Sequence, residues 1–98
     1  MPEVRMSVRW PDGSQESCWS PSRVIGEYFR AGESYALADF RARSRAALAA
    51  ASDRVRAKFG LPCSRAAAEL ARIEARCRSF ADLEGTQVYV DNFHEQDG

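Results

Sequence analysis

The sequence has few of the residues that form disulfides, bind metals or cross membranes. Its three cysteines, Cys18, Cys63 and Cys77, are odd in number and include no C-x-x-C pair, which favours reduced thiols over a disulfide framework or a zinc site. No apolar run approaches the roughly 18 residues that a membrane-spanning helix needs. The first residues alternate polar and apolar, unlike a secretory signal. We therefore expect a cytoplasmic protein with no metal, no cofactor and no membrane partner.

The chain also lacks a net charge, although its charges are unevenly distributed. Residues 41–78 carry ten basic and three acidic residues, whereas the rest of the chain carries four basic and eleven acidic ones. A basic segment between acidic flanks is compatible with an anionic partner, but we expect the flanks to fold back and neutralise it. The zero net charge and the lack of a recognition motif argue against binding to DNA or RNA.

Alternating polar and apolar residues predict a β-hairpin at the start of the chain. From Val4 to Trp10 every second residue is apolar, as in a half-buried strand. Pro11-Asp12-Gly13 has the composition of a turn, and Gln15–Trp19 is the returning strand. Ser20-Pro21 then combines an N-cap residue with a proline suited to the first helical position, which predicts a short helix.

The longest periodic stretch predicts a central helix from Asp39 to Phe59. Asp39 has the side chain of an N-cap, and Gly60 that of a residue ending a helix. Ser64 is the predicted N-cap of a second helix. Each helix has an apolar or small stripe at helical spacing, which we expect to face the core. The stripes are Phe40, Ser44, Ala47, Leu48, Ala51, Val55 and Phe59, and then Ala66, Leu70, Ile73, Cys77 and Phe80.

These elements assemble into one α+β domain over residues 1–98. Residues 34–37 are expected to be extended, and residues 86–93 form the last predicted strand. Residues 94–98 are expected to be a frayed tail. The predicted architecture is a three-stranded antiparallel sheet, made of the N-terminal hairpin and the C-terminal strand. The two helices cover one face of this sheet.

A candidate ligand site lies at the start of the long helix. Arg41, Arg43 and Arg45 occupy its first two predicted turns, where backbone N–H groups favour anions. Arg41 and Arg45 could therefore bind a phosphate or a carboxylate. The alternative is that these arginines pair with Asp39, Glu33 or the acidic ends of the chain.

A candidate interface lies on the alanine-rich faces opposite the core stripes. Small side chains allow backbones to approach closely, as in contacts between helices or subunits. Alanine is also the best helix former, which explains the same pattern without a partner. The candidate interface residues are Ala42, Ala46, Ala49, Ala57, Ala68 and Ala75.

No convergent catalytic set is visible in the sequence. Cys63 precedes a helix, whose dipole favours a thiolate, but no histidine stands near it in the sequence. His94 lies in the predicted tail. If Met1 is removed, Pro2 becomes a secondary amine, as in small tautomerases, yet those enzymes follow their first strand with a crossover helix instead of a hairpin. We assign no catalytic residue.

Several short motifs occur together, and their order and spacing resemble those of a known family. The motifs are Val8-Arg9-Trp10-Pro11-Asp12-Gly13, Ser20-Pro21-Ser22, Gly32-Glu33-Ser34-Tyr35, Asp39-Phe40, Arg54-Val55-Arg56-Ala57-Lys58-Phe59-Gly60 and Cys63-Ser64-Arg65-Ala66. From about Pro2 to Phe93 the chain resembles the small bacterial nitrogen-starvation-response proteins that are encoded in nitrilase-containing gene clusters.

The resemblance implies a cellular context and assigns no residue a role. It implies a cytoplasmic protein made under nitrogen limitation, alongside enzymes that process nitriles or cyanide. We therefore expect a non-catalytic accessory protein that acts through its helical surface, as a homo-oligomer or as the partner of an enzyme of the same gene cluster. The alternative is a sensor that binds a small anionic metabolite at Arg41 and Arg45.

Overall fold

A computed structural model describes residues 3–80 and 85–96. In that part of the chain, four β-strands, two α-helices and one 3₁₀ helix form an α+β fold, as predicted. In chain order the elements are β1 (Glu3–Arg9), β2 (Gln15–Ser20), the 3₁₀ helix (Arg23–Glu27), β3 (Ser34–Ala36), α1 (Leu37–Phe59), α2 (Ser64–Ser79) and β4 (Gln87–Gln96). Neither α-helix is long and apolar enough to cross a membrane.

The strands form one antiparallel sheet in the order β2-β1-β4-β3. The predicted three-stranded sheet is therefore wrong by one strand. The extra strand is β3, whose Tyr35 lies opposite Val88 of β4. A strand of three residues is too short to show a period-two pattern, so the sequence indicated only extended chain there.

The last strand is also longer than predicted, because β4 continues past residue 93 to Gln96. His94 lies opposite Arg5 and Glu95 lies opposite Val4, so β1 holds this segment in the sheet. The predicted frayed tail is wrong for residues 94–96, and residues 97 and 98 lie outside the described residues. The sequence hid this pairing because the segment is polar on both faces.

An aromatic cluster joins the sheet to both helices. The ring of Trp10, which follows β1, lies 5.5 Å from that of Phe40 on α1 and 6.0 Å from that of Phe80, which follows α2. Phe29 packs 5.2 Å from Phe40 on the other side. All four residues are buried. We call α1, α2 and the turn between them the helical hairpin. Burial of these large rings holds the open end of this hairpin, opposite the turn, against the sheet.

The long helix begins two residues earlier than predicted. Ala36 is its N-cap residue and provides no side-chain cap, while the Leu37 N–H donates to the Thr86 carbonyl at 3.2 Å. Asp39 is therefore wrong as an N-cap and lies within the first turn. The predicted end is confirmed, because Gly60 adopts φ 82° and donates its N–H to the Arg56 carbonyl. Glycine adopts this left-handed conformation without strain.

The other two helix starts also differ from the prediction. The predicted short helix is confirmed as a 3₁₀ helix, but Ser22 caps it by accepting from the Val24 N–H, and Ser20 instead donates its hydroxyl to the Ser22 carbonyl. The N-cap of α2 is Cys63, and Ser64 is its first helical residue. These shifts of one or two residues arise because several neighbouring side chains can cap the same turn.

Burial on α1 stops before the helix ends. The stripe of the helix is buried as far as Ala51, but Val55 is only half-buried and Phe59 is 64% exposed. The prediction that Phe59 belongs to the core is therefore wrong. The apolar residues of α1 keep their helical spacing beyond the point where other elements pack against the helix.

Candidate functional site

The turn between the helices carries two large apolar side chains in solvent. We call residues 55–63 the hairpin tip. Phe59 is 64% exposed and Leu61 is 72% exposed, while Tyr89, on β4, is 36% exposed. No residue between Ala51 and Ala66 is buried. At 1.5 Å per residue, Phe59 lies about 12 Å beyond Ala51 along the helix. The tip therefore extends past the core of the domain.

Two cations, Arg56 and Lys58, lie on the same last turn of α1 as Phe59. The Lys58 ammonium lies 5.5 Å from the centre of the Phe59 ring, within the range of a cation–π contact. Arg54 pairs with Glu27 at 3.3 Å. Arg56, on the last turn of α1, is exposed. The tip thus combines apolar surface with cations.

The predicted interface alanines are all exposed. They extend along the sides of the helical hairpin, on α1 and on α2, and Ala57 lies within the tip itself. These residues are Ala42, Ala46, Ala49, Ala57, Ala68 and Ala75. Their exposure leaves these faces accessible to a partner, and whether one binds there stays a prediction.

The predicted ligand arginines share one carboxylate. Arg41 pairs with Glu74 of α2 at 3.3 Å, and Arg45 pairs with the same oxygen. The hydrogen bond from Arg45, with a smaller contribution from Arg41, holds the pKa of the Glu74 carboxyl below its usual value. Sequence spacing did not reveal this partner, since it lies on the other helix. Anion binding at Arg41 and Arg45 stays a prediction.

A cleft of about 390 Å³ lies at the start of α1. Leu37, Ala38 and Arg41 line one side of it, and Cys77 and Arg78 line another. Arg45 is absent from this lining. Of the two predicted ligand arginines, the structure thus places only Arg41 at a cavity of ligand size.

The acidic flanks fold back onto the basic hairpin, as predicted. Arg43 pairs with Asp39 at 2.8 Å, which is the predicted alternative for the arginines of this helix. Four further ion pairs join the hairpin to the preceding parts of the chain. They are Arg54–Glu27, Arg65–Glu3, Arg72–Glu16 and Arg76–Glu16. Exposed pairs of this kind each contribute less than about 1 kcal/mol, so they neutralise charge more than they stabilise the fold.

The contacts of Glu16 do more than neutralise charge. This residue connects the sheet to α2 through several partners. It accepts from the Trp10 indole N–H at 2.7 Å and pairs with Arg72 and, at 3.5 Å, with Arg76. Arg72 also pairs with Glu69 at 2.7 Å, and burial lowers the pKa of Arg72. This network fixes the orientation of α2, and hence the position of the tip.

The candidate catalytic groups do not come together. All three cysteines are free thiols, and burial raises the pKa of Cys18 to about 12 and also raises that of Cys77. Cys63 is half-buried, and His94 is on β4. No group of His, Cys, Asp and Glu in residues 3–80 and 85–96 could hold a metal ion. The Pro2 hypothesis lies outside the described residues.

Sequence reasoning missed the tip as a site. Phe59 fits the helical period, which predicts a core residue, while Leu61 lies in a turn, for which the period predicts nothing. One signal could have found them. Two large apolar residues flank Gly60, and Pro62 follows, in a turn where polar residues are usual. A large apolar residue in a short turn between helices, such as Leu61, belongs to the buried stripe of neither helix.

A comparison with known families supports the resemblance noted in the sequence. The sequence profile of a family described as nitrogen starvation-induced protein NitG matches residues 5–93. The chain belongs to the NitG family. A search of the curated proteins returned no match, and a search of the solved structures returned none. Membership of the NitG family places the chain among nitrogen-starvation-induced proteins.

Proposed function

We propose that this NitG-family protein is a non-catalytic accessory protein that binds another protein through its helical hairpin. The exposure of Phe59 and Leu61 carries the proposal. Grouped apolar side chains in solvent mark interaction surfaces, because a partner that covers them releases their hydrating water. Neither side chain is needed to fill the core. Their position at a projecting turn makes them accessible to a partner.

The exposed alanine faces extend this surface down the sides of the hairpin. Small side chains there would let a partner approach the helix backbones. The candidate partners are a second copy of the chain and an enzyme encoded in the same nitrilase-type gene cluster. Family membership supports a role during nitrogen starvation, and we place the protein in the cytoplasm.

Photo-crosslinking from the tip tests this function. A benzophenone amino acid at position 61 should form a defined covalent adduct in nitrogen-starved cells, because Leu61 faces the partner. The matched control carries the same group at position 89, where Tyr89 is also exposed but lies on the sheet. The proposal predicts an adduct from position 61 alone. Absence of that adduct, or an equal adduct from position 89, would overturn it.

A second candidate function is a sensor of small anions, favoured by the cleft at Arg41. The cleft has the volume of a small-ligand site, and both Arg41 and Arg78 line it. No side chain caps the start of α1 beside them. A carboxylate or phosphate with an apolar body would suit these surroundings. In this proposal Arg41 binds the anion. Arg45 pairs with Glu74 beside it and does not contact the anion.

Thermal-shift measurements with phosphates and carboxylates test the sensor. An anion at a hundredfold excess over its dissociation constant should stabilise the fold by about 2.7 kcal/mol and raise the melting temperature. Arg41→Gln should abolish that rise. Arg45→Gln is the matched control, because Arg45 contacts the same carboxylate but does not line the cleft. Equal responses of the two variants would contradict the sensor.

A further inference from the structure

The cations of the hairpin divide into two groups. Most of its arginines pair with acids of the same chain, namely Glu3, Glu16, Glu27, Asp39, Glu69 and Glu74. Among the described residues, Arg78 in the last turn of α2 has no ion-pair partner, and neither do Arg56 and Lys58. Both lie on the last turn of α1, beside Phe59. The tip therefore presents two cations that form no ion pair with any described residue, together with two exposed apolar side chains.

The local charge around the tip is positive. Residues 52–65 include four basic residues and one acidic residue, Asp53, but Arg54 and Arg65 pair with Glu27 and Glu3, so the remaining positive charge comes from Arg56 and Lys58. Solvent weakens each interaction, but two like charges on one protrusion attract a surface of opposite sign. The tip is thus complementary to a partner surface that is both apolar and negatively charged.

We infer that the hairpin tip docks into an apolar pocket of a different protein, with carboxylates on the rim of that pocket. The inference rests on the proposed function and specifies its partner. Phe59 and Leu61, on either side of Gly60, would fill the pocket. Lys58, lying over the Phe59 ring, and Arg56 would meet the rim carboxylates. Apolar centre and charged rim together match the usual anatomy of a protein interface.

A second copy of the chain fits the tip poorly. Two tips in contact would place one positive surface against another, which like-charge repulsion disfavours. A head-to-tail contact would need an acidic, apolar receptor elsewhere on the same chain. Most acids in the described ranges are already paired, and Tyr89, on β4 opposite Arg9, lies beside a cation. The charge pattern therefore selects a different molecule.

A protein pocket fits better than an anionic membrane. Asp53 lies on the side of the hairpin, and Glu27 pairs with Arg54 close by. A continuous layer of anionic headgroups would reach these carboxylates as well, whereas the rim of a pocket presents carboxylates only where Arg56 and Lys58 lie. The exposed alanine faces also continue the contact surface down the hairpin. A protein groove can cover those sides, whereas a bilayer that meets the end of the tip leaves them in water.

The cross-linked partner and a charge-removal variant test the inference. The partner peptide joined to position 61 is identified by mass spectrometry, and the partner is purified for titration. Arg56→Gln with Lys58→Gln should raise Kd about fivefold or more at about 50 mM salt, and should flatten the salt dependence up to about 300 mM. Arg9→Gln with Arg30→Gln is the matched control, since these exposed arginines lie outside the hairpin. It should bind as the wild type does.

The outcomes separate the inference from the function on which it rests. A cross-linked peptide rich in apolar residues and in Asp or Glu, with the expected loss of affinity, supports the inference. Unchanged affinity of the Arg56→Gln/Lys58→Gln variant overturns it while the proposed function stands. A cross-link to a second copy, or sedimentation only with phosphatidylglycerol vesicles, also overturns it. If position 61 gives no adduct at all, the proposed function fails as well.

Discussion

Replacing Phe40 by alanine should lower the free energy of unfolding by about 3–5 kcal/mol. Phe40 is fully buried, and its ring contacts those of Trp10 and Phe29. The change would remove a large apolar side chain and leave a cavity between the sheet and α1. Because domains of this size are stable by only about 5–15 kcal/mol, the loss is a large part of the total. Urea unfolding followed by circular dichroism measures it.

Phe59→Ala is the control for that prediction, since it makes the same change on the same helix. Its side chain is largely exposed, so the free energy of unfolding should change by less than about 0.5 kcal/mol. The sequence pattern treats the two phenylalanines as equivalent, and the structure does not. A similar loss in both variants would contradict the exposed position of Phe59.

Replacing Glu16 by alanine should cost about 2–3 kcal/mol of stability. The change leaves the indole N–H of the buried Trp10 without its acceptor, which costs about 1–3 kcal/mol. It also removes the carboxylate between Arg72 and Arg76, so that two half-buried cations face each other. Arg72 keeps Glu69 as a partner, so the charge left without its carboxylate is mainly that of Arg76. Denaturant unfolding at neutral pH gives the value.

Glu16→Gln separates the two parts of that effect. Glutamine keeps an oxygen that can accept from the Trp10 N–H but removes the negative charge. Its loss of stability should therefore be clearly smaller than that of Glu16→Ala. Equal stability of the alanine variant and the wild type would show that the network does not fix α2 on the sheet.

Much of the fold follows from patterns with a clear period. The alternation from Val4 to Trp10 predicted β1, and Gly60 predicted the end of α1. Those features are local, since a strand face or a left-handed residue is set by neighbouring side chains. The strand β3 was not predicted, because it is only three residues long and pairs with β4, which is far away in the sequence.

The error at Phe59 has a different physical origin. Helical period reveals which residues share a face, but it does not reveal where the opposing layer ends. The residues of α1 after Ala51 have the same period as those before it, and their exposure depends on where the elements packed against α1 end. A continuing stripe can thus be core at one end of a helix and a binding surface at the other.

The sequence predicted only part of the candidate site, because a pattern along the chain does not reveal how separate elements align. The basic hairpin and the exposed alanines were visible in the sequence, as was the neutralisation of charge by the acidic flanks. The sharing of Glu74 by Arg41 and Arg45 could not be predicted, because it depends on the alignment of the two helices. The cleft at Arg41 likewise needs residues from α1, α2 and the start of β4.

The most direct test of the account combines binding and stability in one variant, Phe59→Ser with Leu61→Ser. The partner identified by cross-linking is titrated with this variant and with the wild type, and both proteins are unfolded in urea. We expect the variant to bind at least about tenfold more weakly, because its apolar contacts are lost, while its unfolding midpoint is unchanged. Full binding by the variant would contradict the tip as the contact surface. So would a fall in stability large enough to explain the lost binding.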